Sequence, residues 1–298
     1  METAEPVRRT SEIEEFTNLY FIHPIAGRLT PRLAAMHISP NTVSLTGMLF
    51  GISAAFAYYH YLDLPFAVAG FILMIAWHVM DGADGQLARL THSQSELGKV
   101  LDGICDYVTF IAVYVALAIV LSRQYGDWMW VLVVAAGGCH AVQSAAYEAQ
   151  RQEYNFWGRG QASMKLPDPG AAPPNAAAMT PAQLLMNFLY RQYVRLQLLV
   201  SGIAPEFHTR LAAMLDAEPE RAAEIRRRYR DMFAPAIRRW AVLSANYRTL
   251  GIFIGTFFKM PQYYFWFEIL GFSAILIVLL SRQRARYALF LEGLGSLE

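Results

Sequence analysis

The sequence predicts an all-α, polytopic membrane protein with six transmembrane helices, an N-terminal interfacial helix and a cytoplasmic helical insert. Of its 298 residues, 55% are apolar, and the mean hydropathy is +0.26. Soluble domains are usually about 45–50% apolar, and here the excess is gathered in runs near the roughly 20 residues that cross a bilayer as a helix. The net charge of +1, without a basic tail, does not favour a nucleic-acid partner. Both cysteines lie inside apolar runs and do not indicate a disulfide framework.

The N-terminal segment, residues 1–37, joins a polar tail to an amphipathic stretch. The tail has no apolar signal-peptide core, so we expect the N terminus to stay on the side of synthesis. Residues 11–37 predict an interfacial helix interrupted at Pro24 and Pro31, although a cap packed over protein fits the pattern equally well. Its two expected sides are an apolar one with Phe16, Leu19, Tyr20 and Ile22 and an acidic one with Glu12, Glu14 and Glu15.

Six apolar runs account for the predicted transmembrane helices. The first follows a turn at Ser39 and Pro40, because proline disfavours helical geometry in the residue before it. We expect Asn41 or Thr42 to cap the helix that begins there. The predicted spans are 42–59, 64–80, 101–121, 128–147, 240–258 and 263–280.

A change of composition between the fourth and fifth spans indicates an insert. Residues 165–183 are rich in proline and alanine and predict a linker, and residues 184–202 have helical periodicity. Residues 206–233 predict a charged helical hairpin around Glu218 and Pro219. We therefore divide the chain into 1–37 with the tail and interfacial helix, 38–147 with spans one to four, 148–237 with the linker and helical insert, and 238–298 with spans five and six and the C-terminal tail.

Lysines and arginines set the expected orientation of the spans. Of the 25, only Arg123 and Lys259 fall in the short loops on one side. Both termini, the 82–99 loop and the insert are therefore expected in the cytoplasm, for a protein integral to the inner or plasma membrane. The far interface would carry an aromatic belt of Trp128, Trp130, Tyr263, Tyr264 and Trp266.

Four acidic residues lie where the second span ends and the third begins. Asp81 and Asp84 are three residues apart, and Asp102 and Asp106 are four apart, so each pair shares one helical face. Carboxylates that converge from two adjacent helices predict oxygen-bound Mg²⁺ or Mn²⁺ rather than zinc. Two such ions about 3.5–4 Å apart can hold a diphosphate, to which Arg89 would add a fixed positive charge. The alternative, a solvated acidic turn, explains neither the interleaved glycines nor the spacing.

At these residues the chain resembles the CDP-alcohol phosphotransferase family, also called CDP-alcohol phosphatidyltransferases. The family pattern is D-x2-D-G-x2-A-R-x8-G-x3-D-x3-D. The six-span plan and the segment SPNTVSLTG before the first span also resemble the family, so the likeness covers about 38–147 and 238–282 and leaves out the insert at about 150–235. Every fixed position of the pattern is matched, by Asp81, Asp84, Gly85, Ala88, Arg89, Gly98, Asp102 and Asp106.

The resemblance implies a role for each residue of the motif. Asp81, Asp84 and Asp102 would bind two divalent cations, and Asp106 would bind metal and accept a proton. The implied nucleotide contacts are Gly85 and Arg89 at the diphosphate, Ser95 near the nucleotide, and Asn41, Thr42 and Ser44 at the cytidine end, where many members carry threonine in place of Ser44. The resemblance also implies a homodimer, and the small-xxx-small pairs Gly47/Gly51 and Gly251/Gly255 fit either a dimer seam or packing inside one protomer.

The reaction that the resemblance implies is direct phosphoryl transfer with release of CMP. In one branch a CDP-lipid such as CDP-diacylglycerol meets a small polar alcohol, and in another CDP-choline or CDP-ethanolamine meets a lipid acceptor. We favour the first branch on the six-span plan, and serine, glycerol phosphate, inositol, inositol phosphate and choline all remain open as acceptors. A cation transporter or non-catalytic scaffold is the alternative from another class, although transporters more often place acids near the bilayer midplane.

The acceptor alcohol is expected among polar residues of the later spans, because polar side chains in membrane helices face protein or a water-filled cavity. One candidate is Arg248 on the fifth span, beside Asn246 and Tyr247. For Arg248 and Glu148 an internal ion pair is the alternative. The other candidates form a stripe on the fourth span, with His140, Gln143, Ser144, Tyr147, Glu148 and Arg151.

Overall fold

A computed structural model of the chain describes residues 10–166, 179–202 and 205–295. All regular secondary structure in these ranges is helical, as the sequence predicts. Most of the predicted linker, at 167–178, lies outside the described residues. The α-helices are α1 His23–Ala35, α2 Pro40–Tyr59, α3 Leu64–Leu90, α4 Glu96–Tyr125, α5 Trp128–Glu153, α6 Pro181–Val200, α7 Pro205–Ala217, α8 Ala222–Trp240, α9 Ala245–Phe257, α10 Pro261–Phe267 and α11 Ser273–Gly295.

The chain forms two compact units. One unit is Met1–Cys139 with Ala245–Ile269, and the other is His140–Ser244 with Leu270–Glu298. The four-part division drawn from the sequence stays a prediction.

Five helices in the described ranges are long and apolar enough to cross a membrane. The predicted fifth span, 240–258, is instead divided: α8 ends at Trp240, a 3-10 turn covers Ala241–Leu243, and α9 begins at Ala245. The 13 residues of α9 extend about 20 Å, which is less than the roughly 30 Å of a hydrocarbon core. The count of six spans therefore stays a prediction. The five candidates are Pro40–Tyr59, Leu64–Leu90, Leu97–Tyr125, Trp128–Gly158 and Pro261–Gly293.

The sequence predicts that the two prolines of the N-terminal segment interrupt its helix, but neither of them breaks it. Pro24 lies in the first turn of α1, where a backbone N–H would have no partner within the helix, and Pro31 lies on its exposed side. The predicted sides are also wrong in part. Phe16 and Tyr20 are exposed by 63% and 61%, whereas the buried Glu15 accepts hydrogen bonds from Asn18 and Asn246. Ile22, expected beside the exposed aromatics, is buried as well.

Close helix packing in the first unit explains both glycine pairs. A Cβ on Gly51 would lie 2.4 Å from Thr109 Cγ2, and one on Gly47 would lie 3.1 Å from Met80 Cβ, so α2 packs tightly on α3 and α4. A Cβ on Gly251 would lie 2.7 Å from the Tyr264 ring, and one on Gly255 would lie 3.0 Å from the Pro261 Cα atom. These glycines therefore serve packing inside one protomer, and the homodimer stays a prediction.

Two helices of the first unit are also joined by a buried polar contact. His78 on α3 is 6% exposed, and its Nε2 atom lies 2.9 Å from Thr249 Oγ1 on α9. His78 therefore lies at the interface between α3 and α9.

The second unit is built around the predicted helical hairpin. A 3-10 turn at Pro219–Arg221 joins α7 to α8, and Phe207, Tyr229 and Tyr287 meet in an aromatic cluster with α11. Arg226 donates hydrogen bonds to the Phe156 and Trp157 carbonyls, at 3.0 and 2.7 Å, and so satisfies carbonyls at the end of the long fourth span. Burial and the neighbouring charge of Arg230 lower the pKa of Arg226.

Candidate active site

The acidic motif lies on two helices with a short connection. The sequence predicts a loop over 82–99, but α3 continues to Leu90 and α4 begins at Glu96, so only residues 91–95 connect them. The helical register therefore extends through Gly82 and Gly85, despite their weak helix propensity. His92 lies in this connection, with a φ of 51°. A continuous helix holds each pair of acids rigidly on one face.

All four carboxylates converge in the first unit. Oxygen atoms of Asp81, Asp102 and Asp106 lie within 4.8 Å of one another, and the three side chains are half-buried. Asp84 is only 5% exposed, feels the charge of Asp81 and shares a side-chain hydrogen bond with Asp102.

The donor set fits a hard divalent cation. Like charges this close and this buried repel one another, and a cation between them removes the repulsion. In the described ranges, the group contains aspartates alone, without histidine or cysteine. Oxygen ligands of this kind suit Mg²⁺ or Mn²⁺ better than zinc.

Arg89 lies over the glycine one turn before it. A Cβ on Gly85 would lie 3.4 Å from Arg89 Nη1 and 3.7 Å from Nη2, so the guanidinium folds back along α3. The positive charge of Arg89 therefore lies over Gly85, the residue that follows Asp84 in α3. An anion that approached the backbone at Gly85 would therefore meet both the guanidinium and any cation on the acids.

The N-termini of α2 and α4 lie together beside this site. A Cβ on Gly98 would lie 3.0 Å from Ser95 Oγ and 3.4 Å from Asn41 Oδ1. Ser95 caps α4 by accepting a hydrogen bond from the Gly98 N–H at 3.0 Å. Of the predicted nucleotide contacts, the structure thus brings Asn41 and Ser95 together, on either side of the motif residue Gly98.

The cap of α2 differs from the sequence prediction. Ser39, rather than Asn41 or Thr42, is the N-cap residue, and it accepts a hydrogen bond from the Thr42 N–H at 3.2 Å. Ser39 has the extended backbone that an N-cap needs, which the helical residues after Pro40 lack. The side chains of Asn41 and Thr42 are exposed.

Ser44 lies apart from the exposed pair at the start of α2. It is 6% exposed, and its hydroxyl contacts the Asp84 carboxylate and the Pro40 carbonyl. The structure therefore places Ser44 beneath the acids, where it orients Asp84. Spacing along the chain does not reveal this contact, because 40 residues separate the partners.

The predicted acceptor residues are distributed over the two units. In the first, Arg248 is fully buried and forms an ion pair with Glu268. Tyr114 donates a hydrogen bond to the same carboxylate, and its hydroxyl lies 3.2 Å from that of Tyr264. This is the internal pairing that the sequence left open. No role was predicted for Glu268, although an acidic residue inside the last apolar run indicates a buried polar partner.

In the second unit, the stripe on α5 is engaged in polar contacts. Gln143 is 1% exposed and donates a hydrogen bond to Ser273 at 3.0 Å. Arg151 holds both carboxylate oxygens of Glu148, at 2.7 and 2.8 Å. His140 and Tyr147 are half-buried on the same helix. The role of these residues in acceptor binding stays a prediction.

The long apolar helices are typical of a membrane protein, and the cluster of aspartates on two of them is a candidate metal centre. The family model for CDP-alcohol phosphatidyltransferases matches residues 37–202, which is more than half of the chain. The chain belongs to the CDP-alcohol phosphatidyltransferase family. The match includes the first part of the insert, which the resemblance had been expected to leave out, and the likeness over 238–282 stays a prediction.

Relatives with assigned names fall into both substrate branches. The chain is 29% identical over 124 residues to the CDP-diacylglycerol–serine O-phosphatidyltransferase of Mycobacterium tuberculosis, a match that covers 40% of each protein. It is 28% identical over 123 residues to choline/ethanolaminephosphotransferase 1 of Arabidopsis thaliana, which covers 38% of this chain and 31% of that protein. An uncharacterised Aquifex aeolicus protein is 32% identical over 98 residues, or 33% of this chain and 47% of that one.

Proposed function

We propose that the protein transfers a phosphatidyl group from CDP-diacylglycerol to the hydroxyl of a small polar alcohol and releases CMP. The convergence of the four aspartates supports this function most strongly, because two divalent cations would balance their negative charge and could then bind a diphosphate. The fixed position of Arg89 over Gly85 supports it further, since a guanidinium there suits a phosphate.

Each residue of the motif has a separate task in the proposed reaction. Asp81, Asp84 and Asp102 would hold two divalent cations, and such cations stabilise charge on the entering and leaving oxygens of a phosphoryl transfer. Asp106 takes the proton of the acceptor hydroxyl as that oxygen forms a bond to the phosphorus distal to cytidine. The bond from that phosphorus to the CMP oxygen breaks, and Arg89 stabilises the departing phosphate. No covalent enzyme intermediate is required.

The nucleotide would lie along the N-termini of α2 and α4. Asn41, Thr42 and Ser95 offer polar groups at this end, and Gly85 and Gly98 leave space for the backbone to approach the ligand. Ser44 supports the site from below through Asp84. For the acceptor we retain His140, Gln143, Tyr147, Glu148 and Arg248 as the residues to test.

The membrane arrangement belongs to the same proposal. We place α9 as a sixth, short span and the acidic site on the cytoplasmic side, because 22 of the 25 basic residues fall on that side of the predicted topology. The exposed Phe16, Tyr20 and Phe21 fit an interfacial helix, since aromatic side chains favour the headgroup region. A homodimer is proposed on the family resemblance alone.

The test is CMP release by the purified protein. With Mg²⁺ or Mn²⁺ and CDP-diacylglycerol, we expect CMP and a new phospholipid only when the right alcohol is added. Serine comes first in the acceptor panel because of the mycobacterial relative, followed by glycerol phosphate, inositol, inositol phosphate and choline. Absence of turnover with every acceptor, while divalent cations still bind, would favour the transporter or scaffold hypothesis.

A second substrate pairing is kept because of the plant relative. That protein is named a choline/ethanolaminephosphotransferase, so the second assay supplies CDP-choline or CDP-ethanolamine together with diacylglycerol. Turnover of these soluble donors, with none of CDP-diacylglycerol, would assign the alternative branch and overturn the proposed donor.

A further inference from the structure

An arginine cluster lies at the end of an apolar groove in the second unit. A cavity of about 370 Å³ is lined by the apolar Ala274, Ile275, Val278 and Leu279 of α11 and by Arg239 and Arg282. The charge of Arg286, one turn further along α11, interacts with those of Arg239 and Arg282. Three guanidiniums thus surround one end of a groove that is otherwise apolar.

The spacing of these residues divides the groove by polarity along the helix. The members from α11 recur at steps of three to four residues, so they share one helical face. From Ala274 to Arg282 the helix rises about 12 Å, and to Arg286 about 18 Å. Half of a hydrocarbon core is about 15 Å. The apolar part of the groove therefore lies at acyl-chain depth when the arginines lie at the headgroups.

The three arginines call for an anion from outside the chain. Like charges held close together repel one another. Within the described part of the chain, arginines in ion pairs include Arg151, Arg221, Arg228 and Arg248, and the three arginines of the groove are not among them. Arg239 and Arg282 are exposed and Arg286 is half-buried, so a ligand can reach all three.

We propose that this groove binds one anionic phospholipid, with the phosphate among Arg239, Arg282 and Arg286 and an acyl chain along Ala274, Ile275 and Val278. Charge complementarity identifies the headgroup, because guanidiniums match phosphate geometry. The apolar lining identifies the lipid rather than a soluble phosphate, since a free anion would leave that part of the groove empty. The site involves none of the four aspartates and does not depend on the proposed transfer reaction.

The first experiment measures lipid affinity by native mass spectrometry of the full-length protein. Phosphatidylglycerol and phosphatidylcholine are titrated separately, without CDP-lipid. Each basic residue near anionic lipid contributes about a fivefold change in affinity, so Arg239→Gln with Arg282→Gln should weaken phosphatidylglycerol binding on the order of 25-fold. Arg284→Gln makes the same change at an exposed site outside the groove and should change the affinity less than twofold.

A second pair of variants tests the apolar part of the groove. Val278→Trp fills it and should also weaken phosphatidylglycerol binding, whereas Ile277→Trp adds the same bulk at an exposed neighbour outside the lining. Equal affinity for phosphatidylcholine, or equal losses in Arg284→Gln and the double variant, would overturn the proposal. Displacement of the lipid by millimolar glycerol 3-phosphate would overturn it too, because the ligand would then be a soluble anion.

Discussion

Two polar clusters in the first unit place carboxylates among apolar helices in opposite ways. Glu268 is fully buried, and it is matched by the Arg248 guanidinium and the Tyr114 hydroxyl. At the acidic motif, four aspartates converge with a single arginine in the motif, and three of the four are only half-buried. The first cluster is closed and balanced in charge, whereas the second is accessible and carries an excess of negative charge.

This difference separates a structural role from a chemical one. A buried ion pair with further hydrogen bonds satisfies its own groups, so it needs no ligand. An accessible cluster with an excess of carboxylates is stable only when cations or protons neutralise it, so it is suited to bind metal ions. We therefore expect substitutions in the acidic motif to alter turnover and metal binding, and substitutions at Arg248 to alter the stability of the fold.

The largest expected effect is on turnover in Asp106→Asn. An amide cannot take the proton from the hydroxyl of the alcohol substrate. CMP release should therefore fall by about 10²–10⁴-fold, while nucleotide binding and thermal stability persist. Asp127→Asn makes the same change at an exposed acid in the loop before α5 and should keep full activity. Turnover comparable to the unmodified protein in Asp106→Asn would remove this residue as the base.

The closed cluster should respond in stability. Arg248→Met leaves the buried Glu268 carboxylate without its cation, at a cost of about 3–5 kcal/mol, and should lower the melting temperature in detergent. The double variant Arg248→Met with Glu268→Leu removes both charges and should recover most of that loss. If instead Arg248→Met melts normally but raises the KM for the alcohol, Arg248 belongs to the acceptor pocket and the comparison fails.

Metal affinity is the next measurement. Asp81→Asn removes one of three carboxylates within 4.8 Å and should weaken Mn²⁺ binding on the order of 100-fold, as followed by calorimetry. Addition of EDTA should lower the melting temperature of the unmodified protein and have less effect on the variant. Equal Mn²⁺ affinity in the two proteins would exclude Asp81 from the site.

The sequence predicted the open cluster far better than the closed one, for a physical reason. The aspartates follow local steps of three and four residues on two helices joined by a five-residue connection, so their register is visible in the sequence. The partners of Glu268 come from α4 and α9, and only tertiary packing brings Tyr114 and Arg248 to it. The loop predicted over 82–99 was too long, because α3 continues as a helix to Leu90.

The smallest expected effect tests a contact that only the structure reveals. Ser44→Ala removes the hydroxyl that contacts Asp84, and a hydrogen bond to a charged group contributes about 1.5–3 kcal/mol. We expect Mn²⁺ affinity to fall roughly tenfold or somewhat more, with turnover restored by higher Mn²⁺ concentration. Ser44→Thr keeps the hydroxyl and should bind Mn²⁺ nearly as well as the unmodified protein.

Ser53→Ala is the matched control, because that exposed hydroxyl donates its hydrogen bond to the Leu49 carbonyl on the same helix. It should change neither Mn²⁺ affinity nor turnover. A cytidine contact would give a different result for Ser44→Ala: the KM for the CDP-lipid would rise while Mn²⁺ affinity stayed constant. The ratio of these two changes therefore decides whether Ser44 supports the acids, as its burial against Asp84 indicates, or contacts the nucleotide.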